Sequence, residues 1–429
     1  MFFLNFYHNL VLMKDIHHGN RLFQKFKNCP AIICGAGPSF DKQFDILKKW
    51  QNKALIFAGG SSINSLGGQG VIPHFGAGID PNKSQLDRSK KNTFANLPMF
   101  YRNRWNGESL THAMGPRLYL NGCGGYSVAE WFEKELNIEG RSIEEGHNVI
   151  NFLVEIANNL GCNPIIFVGM DLALTEGKRY ADGVVSNSIV GDSLLKKLNV
   201  IHRKDIHGNV TQTLRKWVVE SDWIGSYAKV YPDVSFINAT GSGLGMPGVP
   251  NQDLEEILDS GSFCEQDLFG LVNLEVQRAK IKHIKFGNVL HSMADLGESL
   301  SRCVAICEKL DKELSKVEKK VKKMKSTQGF SRNPVIKKME DELLAEPAYK
   351  CILEELNSVR LRLLQRKLEE LNRDNSSSTK TAKSLDSIKI NKERLFFLKQ
   401  VATNNLYTMQ KTVEDFAKKG YDIDGFKVI

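Results

Sequence analysis

A short apolar run at Ala31–Cys34 leads directly into the glycine-rich turn Gly35–Ser39, and a helical pattern follows it. This order constrains the fold more than any other stretch, because it requires a buried strand whose carboxyl end opens into a helix. Gly35 and Gly37 permit a ligand to approach the backbone closely, and Pro38 suits the first turn of a helix. Such a turn is either a phosphate seat or a tight strand–helix connection, and the residues leave both interpretations open.

The turn matches neither of two nucleotide-binding motifs in full. A dinucleotide-binding G-x-G-x-x-G motif would place its third glycine at position 40, where this chain has Phe40. A P-loop is excluded because no Gly-Lys-Ser/Thr follows the turn. Nucleotide binding is nevertheless predicted for the whole turn, comprising Gly35, Ala36, Gly37, Pro38 and Ser39.

Further apolar runs of strand length recur along the chain. They cover residues 54–58, 71–80, 99–105, 118–120, 164–168 and 234–237. Residues 149–160 show apolar positions at helical spacing, and Gly161 closes that pattern. The alternation of strands and helices predicts a doubly wound α/β domain over residues 21–262.

Small polar loops follow several of the predicted strands. In an open parallel sheet, ligands bind at the carboxyl ends of the strands. We therefore predict sugar or base contacts from the loops after the second and the last strand, at Gly59, Gly60, Ser61, Asn238, Thr240 and Gly241.

Charged side chains also follow the strands. Asp80 and Asp171 each come directly after an apolar run, where a carboxylate can bind a ribose hydroxyl or a metal, act as a base, or cap the next helix. Arg102 and Arg104 follow another run and are candidates for contacting an anionic ligand.

Composition narrows the class of partner and the compartment. The formal charge of +9 reflects lysines crowded into residues 309–325, so it does not favour nucleic acid as a ligand of the α/β half. The eight cysteines include no C-x-x-C pair, which is typical of reduced thiols and predicts a cytoplasmic protein.

The two ends of the chain differ from the α/β region. Residues 1–20 form an apolar segment that is too short to span a membrane and lacks the basic start of a signal peptide, so a packing helix is expected. Residues 263–429 are rich in helix formers and predict a helical, coiled-coil-like domain with a solvated lysine face, compatible with homo-oligomerisation.

The polar connection 176–213 is predicted to be a lid or substrate loop.

Five motifs, taken in order, resemble the motility-associated factor glycosyltransferases, which share a domain with 6-hydroxymethylpterin diphosphokinase. They are Cys-Gly-Ala-Gly-Pro-Ser-Phe at 34–40, Gly-Val-Ile-Pro-His at 70–74 with Ile-Asp-Pro at 79–81, Leu-Gly-Cys-Asn-Pro-Ile-Ile-Phe-Val-Gly-Met-Asp-Leu-Ala at 160–173, Tyr-Ala-Asp-Gly at 180–183 and Ile-Asn-Ala-Thr-Gly at 237–241. The resemblance implies a Rossmann-like core related to bacterial sialyltransferases. It also implies inverting transfer of a pseudaminic, legionaminic or sialic-type nonulosonic acid from a CMP-activated donor to Ser/Thr hydroxyls of a protein such as flagellin, without a cofactor or metal.

The resemblance also assigns roles to residues. His207 stands where related sialyltransferases carry a catalytic histidine, and Asp80 and Asp171 are the other base candidates. One alternative is ATP-dependent pyrophosphoryl transfer to a pterin, with Mg²⁺ held by the same two aspartates. A different class of function, a non-catalytic scaffold that binds through its helices, is the third hypothesis.

Overall fold

The computed structural model describes residues 1–92, 94, 96–184, 199–260, 266–324, 333–373 and 380–423. The chain divides into two compact units, and each is described here by itself. Unit 1 comprises residues 1–124 and 140–283, and unit 2 comprises residues 125–139 and 284–429.

Elements are numbered along the whole chain. The strands are β1 (His17–His18), β2 (Ala31–Cys34), β3 (Leu55–Gly59), β4 (Phe75–Gly78), β5 (Met99–Tyr101), β6 (Arg117–Tyr119), β7 (Ile165–Val168), β8 (Val200–Lys204), β9 (Val210–Leu214) and β10 (Phe236–Asn238). The helices of unit 1 are α1 (Phe2–Val11), α2 (Phe44–Trp50), α3 (Ser61–Gly68), α4 (Ser84–Lys90), α5 (Gly107–His112), α7 (Val149–Leu160), α8 (Arg215–Val230), α9 (Leu254–Ser260) and α10 (Leu268–Arg278); α6 (Ser127–Glu135) belongs to unit 2.

Unit 1 is built on a parallel sheet of eight strands in the order β1-β6-β5-β4-β3-β2-β7-β10. From β2 the chain runs outward through β3, β4, β5 and β6, and then returns to place β7 on the other side of β2. The connection therefore changes direction between β2 and β7, the point at which open α/β sheets bind ligands. Cys34 pairs with Ala58 of β3 and with Val168 of β7, so the carboxyl ends of these three strands are level. The predicted doubly wound α/β class is confirmed.

The strands form because both faces of the sheet are covered. Every residue of β2, β3, β4 and β7 is buried, as the continuous apolar runs predict for a parallel sheet. Rings of neighbouring strands stack across it, with centroids 5.3 Å apart for Phe57 and Phe75 and 5.1 Å apart for Phe75 and Phe100. Helix α7 packs behind these strands, and its ends are fixed by the Asn148 side chain and by Gly161 in the left-handed region, at φ 88°.

The polar connection predicted as irregular contains regular structure. Its residues 200–214 fold into an antiparallel hairpin of β8 and β9, while residues 185–198 lie outside the described part of the chain. The expected packing helix is observed as α1, and β1, which the sequence did not indicate, adds the outermost strand beside β6. Helix α10 lies in unit 1, where its buried Leu268, Val272 and Val276 join the core, whereas the sequence assigned it to the helical domain.

Unit 2 is helical. Besides α6 it contains α11 (Phe286–Met324), α12 (Pro334–Ala345), a π-helical turn at Tyr349–Leu353, α13 (Glu354–Arg373) and α14 (Lys380–Lys418). The long helix α11 buries one stripe of apolar residues, which includes Leu300, Cys303, Cys307, Leu310 and Leu314. The two cysteines therefore pack in a core, and no described helix of the chain combines the length and apolar character needed to cross a membrane.

Candidate functional site

A cavity of about 860 Å³ opens in unit 1 at the carboxyl ends of β2, β3, β4 and β7. It lies where the strand order changes direction, which is the position expected for a ligand site. The predicted site residues that line it are Gly35, Ala36, Gly37, Gly59, Gly60, Ser61, Asp80 and Asp171. The strand-end loops after β2, β3 and β4 therefore meet at one site with the loop after β7.

Asp171 holds three of the loops together. Its Oδ2 accepts a hydrogen bond from the Ser39 hydroxyl at 2.7 Å, and the Ser39 amide lies 3.2 Å from Oδ1. Oδ1 also accepts from Thr175 Oγ1 and from Ser242 Oγ, both at 2.8 Å. The side chain is 1% exposed. Burial raises the pKa of this carboxyl, while the three hydroxyl donors oppose that shift. This geometry favours a positioning role over the predicted role of base.

The glycine turn faces the cavity with few free amides. The Gly35 amide donates to Val168 O and the Gly37 amide to Gly169 O, both at 2.8 Å, and the Ser39 amide donates to Asp171. Pro38 has no amide hydrogen, and neither Pro38 nor Ser39 lines the cavity. Phosphate binding by the turn therefore stays a prediction. In this structure the amides of Gly35, Gly37 and Ser39 already donate to other groups, and the turn supplies a close-packed wall of the cavity.

Asp80 lies at the cavity wall and also caps its own turn. Its Oδ1 accepts from the Asn82 amide at 3.0 Å and from Asn82 Nδ2 at 2.6 Å, and its Oδ2 accepts from Gln85 Nε2 at 2.9 Å. The structure shows the capping role at a half-buried carboxylate that also lines the cavity, and the ligand contact of Asp80 stays a prediction.

The loop after β10 does not reach the cavity. Asn238 bonds through Nδ2 to Asn251 at 2.7 Å and accepts from the Thr240 amide at 3.2 Å. The Thr240 hydroxyl accepts from the Met170 amide at 3.1 Å. Both residues are 1% exposed, and neither lines the cavity, nor does Gly241. Their contact with ribose or base stays a prediction, and in this structure Asn238 and Thr240 fix the loop after β7.

His207 sits at the exposed turn of the β8–β9 hairpin. Its Nε2 lies 3.2 Å from the carbonyl oxygen of Gly241, and its amide donates to Asp205 at 2.9 Å. The residue does not line the cavity. The catalytic role that the resemblance implies for His207 remains a prediction, and the geometry of the apo chain does not place its ring at the site.

Four basic side chains surround the cavity: Arg88, Arg104, Arg179 and Lys216. Among the described residues, only Arg104 of these four has a carboxylate partner, because its Nη1 lies 3.3 Å from the buried Glu145, which also pairs with Arg102 at 3.4 Å. The Nε of Arg179 is buried and makes no hydrogen bond to a described residue. Cations held without counter-charges beside a cavity indicate an anionic ligand.

Aromatic rings complete the wall. Tyr180 and Trp217 line the cavity, and the basic side chains Arg179 and Lys216 lie 5.3 and 5.8 Å from the centroids of these rings. Flat rings at a polar site offer a stacking surface for a planar group such as a nucleobase.

Glu220 is a buried carboxylate in the same wall. Its Oε1 accepts from Asn151 Nδ2 at 2.7 Å, and its Oε2 accepts from Asn148 Nδ2. The side chain is 5% exposed, and no described cation pairs with it. Burial therefore raises the pKa of Glu220 to about 7, although both amide donors oppose the shift. The sequence analysis missed this residue, together with Arg88, Arg179, Lys216 and Trp217.

The raised pKa makes the stability of unit 1 depend on pH. The carboxyl titrates from an ordinary value of 4.5 in the unfolded chain to about 7 in the folded one. Its contribution is therefore fully favourable below pH 4.5 and is lost as the pH rises through 7. Glu220→Gln removes this titration, so the variant should gain about 2–3 kcal/mol relative to wild type between pH 5 and pH 8.

Urea unfolding of both proteins at three pH values across that window measures this gain. Substitution of the exposed Glu108 by glutamine provides the control for a general effect of charge. A difference between Glu220→Gln and wild type that stays constant with pH would contradict the raised pKa.

The helical pattern of residues 217–227 is visible in the sequence, but the site role of its residues is not. Lys216, Val219 and Glu220 recur at helical spacing, and the positions that follow, Ile224 and Tyr227, are buried. One face of α8 therefore carries polar residues beside apolar ones at its amino end. Periodicity alone predicts that such polar residues are exposed to solvent.

No group of three or more His, Cys, Asp or Glu side chains that could hold a metal ion exists in the part of the chain that the structure describes. Asp80 and Asp171 both face the cavity, but the Asp171 oxygens already accept hydrogen bonds from Ser39, Thr175 and Ser242. The two aspartates are therefore poorly arranged for the Mg²⁺ site that one hypothesis requires.

Residues 4–177 match the family model described as 6-hydroxymethylpterin diphosphokinase MptE-like. This span contains strands β1 to β7 and the loops that form most of the cavity. No curated protein matches the chain.

A solved structure described as MAf glycosyltransferase from Magnetospirillum magneticum AMB-1 is similar to this chain. The alignment covers 98% of this chain and 64% of that one, with 13% sequence identity and a TM-score of 0.57. At this identity the likeness establishes a shared fold, and this chain spans less than two thirds of its neighbour's length. The two matches confirm the resemblance to the motility-associated factor glycosyltransferases that the motifs indicated.

Proposed function

We propose that this protein is a glycosyltransferase that moves a nonulosonic acid from a CMP-activated donor to Ser/Thr hydroxyls of a protein such as flagellin, with inversion. One observation carries the proposal. At the point where the sheet changes direction, a cavity of about 860 Å³ is lined by three basic side chains that pair with no described carboxylate. The solved MAf glycosyltransferase with the same fold supports the reaction class.

The side chains that line the cavity offer partners for the charged groups and the base of this donor. A CMP-activated nonulosonic acid carries two anionic groups, the bridging phosphate and the sugar carboxylate, and one flat base. Arg88, Arg179 and Lys216 supply positive charge, and Tyr180 and Trp217 supply stacking surfaces. When the glycosidic bond to the phosphate breaks, the departing CMP gains a negative charge. These cations stabilise that charge directly.

The competing pterin reaction is less well supported. It needs ATP and Mg²⁺ together, and Asp171 would have to give up the hydrogen bonds from Ser39, Thr175 and Ser242 to bind the metal. The scaffold hypothesis does not explain why three cations that pair with no described carboxylate line one cavity. The three hypotheses therefore differ in the nucleotide that they predict to bind: CMP for the glycosyltransferase, ATP with Mg²⁺ for the pterin reaction, and none for the scaffold.

Thermal unfolding with CMP, CDP or ATP, each with Mg²⁺ or with EDTA, separates the three functions. We expect CMP to raise Tm in the presence of EDTA, because the cations bind the phosphate directly. At a ligand concentration of about 100 times Kd the gain is about 2.7 kcal/mol. A rise with ATP that requires Mg²⁺ would support the pterin reaction, and no rise with any nucleotide would support the scaffold.

A pair of variants locates the CMP site. Arg179→Gln removes a cation from the cavity and should weaken CMP binding about tenfold, measured by calorimetry. Arg203→Gln removes an exposed arginine of β8 outside the cavity and should leave the affinity unchanged. Equal effects of both variants would show that only the net charge matters.

The proposal also includes a cytoplasmic location and self-association of the chain. All seven described cysteines are free thiols, as expected for a protein that meets its acceptor in the cytoplasm. The long helices of unit 2 are the part of the chain that we propose for self-association.

A further inference from the structure

We infer that Glu220 is the general base that takes the proton from the acceptor hydroxyl. The inference rests on the proposed transfer reaction and assigns the residue that neither the motifs nor the comparisons identify. Three features of the structure carry it. They are the position of Glu220, the groups that orient its carboxylate, and the hydrogen bonds or location of the competing candidates for the base.

The first feature is access. Glu220 lies in the second turn of α8 and lines the cavity, although only 5% of the residue is exposed to bulk water. A carboxylate that faces a ligand cavity while shielded from solvent can exchange a proton with a bound hydroxyl instead of with water.

The second feature is orientation. The side chains of Asn148 and Asn151 reach across from the start of α7, and each donates to a different oxygen of Glu220. A carboxylate oxygen has two lone pairs, so each oxygen keeps one for a further partner. The two amides therefore fix the plane of the carboxylate without saturating it, as expected for a base held ready for substrate.

The third feature concerns the other candidates for the base, which already accept several hydrogen bonds or lie outside the cavity. The Asp171 carboxylate accepts from three hydroxyl groups and one amide, and Asp80 accepts from Asn82 and Gln85. His207 lies outside the cavity wall. Among the described acidic residues that line the cavity, Glu220 alone accepts a single hydrogen bond at each carboxylate oxygen, since Oδ1 of Asp80 already accepts two from Asn82.

The pKa of Glu220 supports the assignment. Burial raises it to about 7, where a carboxylate is basic enough to accept a proton and is still ionised in half of the molecules at neutral pH. The titratable and charged groups that share the cavity wall are Lys216 on the same helix, His147 before α7, Asp171 after β7, Asp80 after β4, Cys34 at the end of β2, and Arg88, Arg104, Arg179 and Tyr180.

The chemical step balances without a co-reactant. The acceptor oxygen forms a bond to the anomeric carbon while the bond from that carbon to the CMP phosphate breaks, and the phosphate takes the bonding electrons. The hydroxyl proton passes to an oxygen of Glu220, which then returns it to water. Because attack and departure occur on opposite faces, the anomeric configuration inverts.

The test compares Glu220→Gln with Glu155→Gln. Glu155 is a matched control, because it is also 5% exposed, also has a pKa raised by burial, and does not line the cavity. Two quantities are measured for each variant. One is the rate of CMP release from CMP-N-acetylneuraminate and from CMP-pseudaminate, and the other is the affinity for CMP. We expect Glu220→Gln to lower kcat at least 100-fold and to change the CMP affinity less than threefold, and Glu155→Gln to keep a near-normal rate.

The pH profile provides a readout that needs no variant. The wild-type rate should rise with pH through about 7, because the base must be ionised, and Glu220→Gln should lose this rise. Addition of formate to Glu220→Ala should restore part of the rate.

Three outcomes overturn the inference alone. The first is CMP release by Glu220→Gln at the wild-type rate, and the second is a wild-type rate that stays constant from pH 6 to pH 8. The third is a loss of CMP affinity in parallel with the rate, which would show that Glu220 only holds the donor. If wild type neither binds CMP nor releases it from either donor, the proposed function fails, and the assignment of the base fails with it.

Discussion

Substitution of Asp171 by alanine should lower the free energy of unfolding of unit 1 by about 3–5 kcal/mol and abolish CMP binding. The variant leaves the Ser39 amide and the hydroxyls of Ser39, Thr175 and Ser242 without their shared acceptor. These donors come from three different strand-end loops, so their loss releases the wall of the cavity as well as lowering stability.

Asp171→Asn distinguishes the positioning role from a catalytic one. The amide keeps Oδ1 as an acceptor for Thr175 and Ser242 but replaces Oδ2, the acceptor of the Ser39 hydroxyl, with an NH₂ group that cannot accept. A positioning role predicts that CMP affinity and turnover fall together. A variant that binds CMP normally and has lost turnover would instead support the predicted base.

Denaturant unfolding and CMP calorimetry measure both effects. Asp41→Ala is the control, since Asp41 also accepts an amide hydrogen bond, from Asp182 at 3.0 Å, but is half-exposed and does not line the cavity. We expect it to cost less than about 1 kcal/mol. Equal losses for the two variants would show that Asp171 has no special structural role.

The sequence was informative where one residue type has one physical use. Continuous apolar runs fixed the parallel strands, because only a sheet covered on both faces buries every residue of a strand. The two aspartates were found because they directly follow such strands, and the β-strand register then brings both to one edge. Position along the chain, in these cases, determines position in space.

The same reasoning failed where chemistry depends on partners distant in sequence. The amides of Gly35 and Gly37 looked available, yet the carbonyl groups of residues 168 and 169 accept them, and nothing local to the turn indicates this. Glu220 reads as a surface position on α8 until Asn148 and Asn151 are placed beside it, 72 and 69 residues away in the chain. Burial of a charged group is a tertiary property that periodicity does not report.

Gly37 provides the most specific test of how the loops interlock. A Cβ added there would lie 2.0 Å from Asp171 Oδ2 and 2.8 Å from the carbonyl oxygen of Gly169. Its φ of −73° is accessible to every residue, so the requirement for glycine comes from packing and not from backbone conformation. Because four hydrogen bonds hold the Asp171 carboxylate in place, it cannot retreat cheaply, and Gly37→Ala should cost about 3 kcal/mol.

The cost should depend on Asp171. In an Asp171→Ala background the closest clash disappears, and Gly37→Ala should cost only about 1 kcal/mol, a coupling of about 2 kcal/mol in a double-mutant cycle. Gly35→Ala is the matched control, because its Cβ would lie 2.2 Å from Gly169 O, a backbone atom that the loss of Asp171 leaves in place. Its cost should therefore be the same in both backgrounds. Additive effects for Gly37 would mean that the Asp171 carboxylate moves freely, and the loops would then not be joined through it.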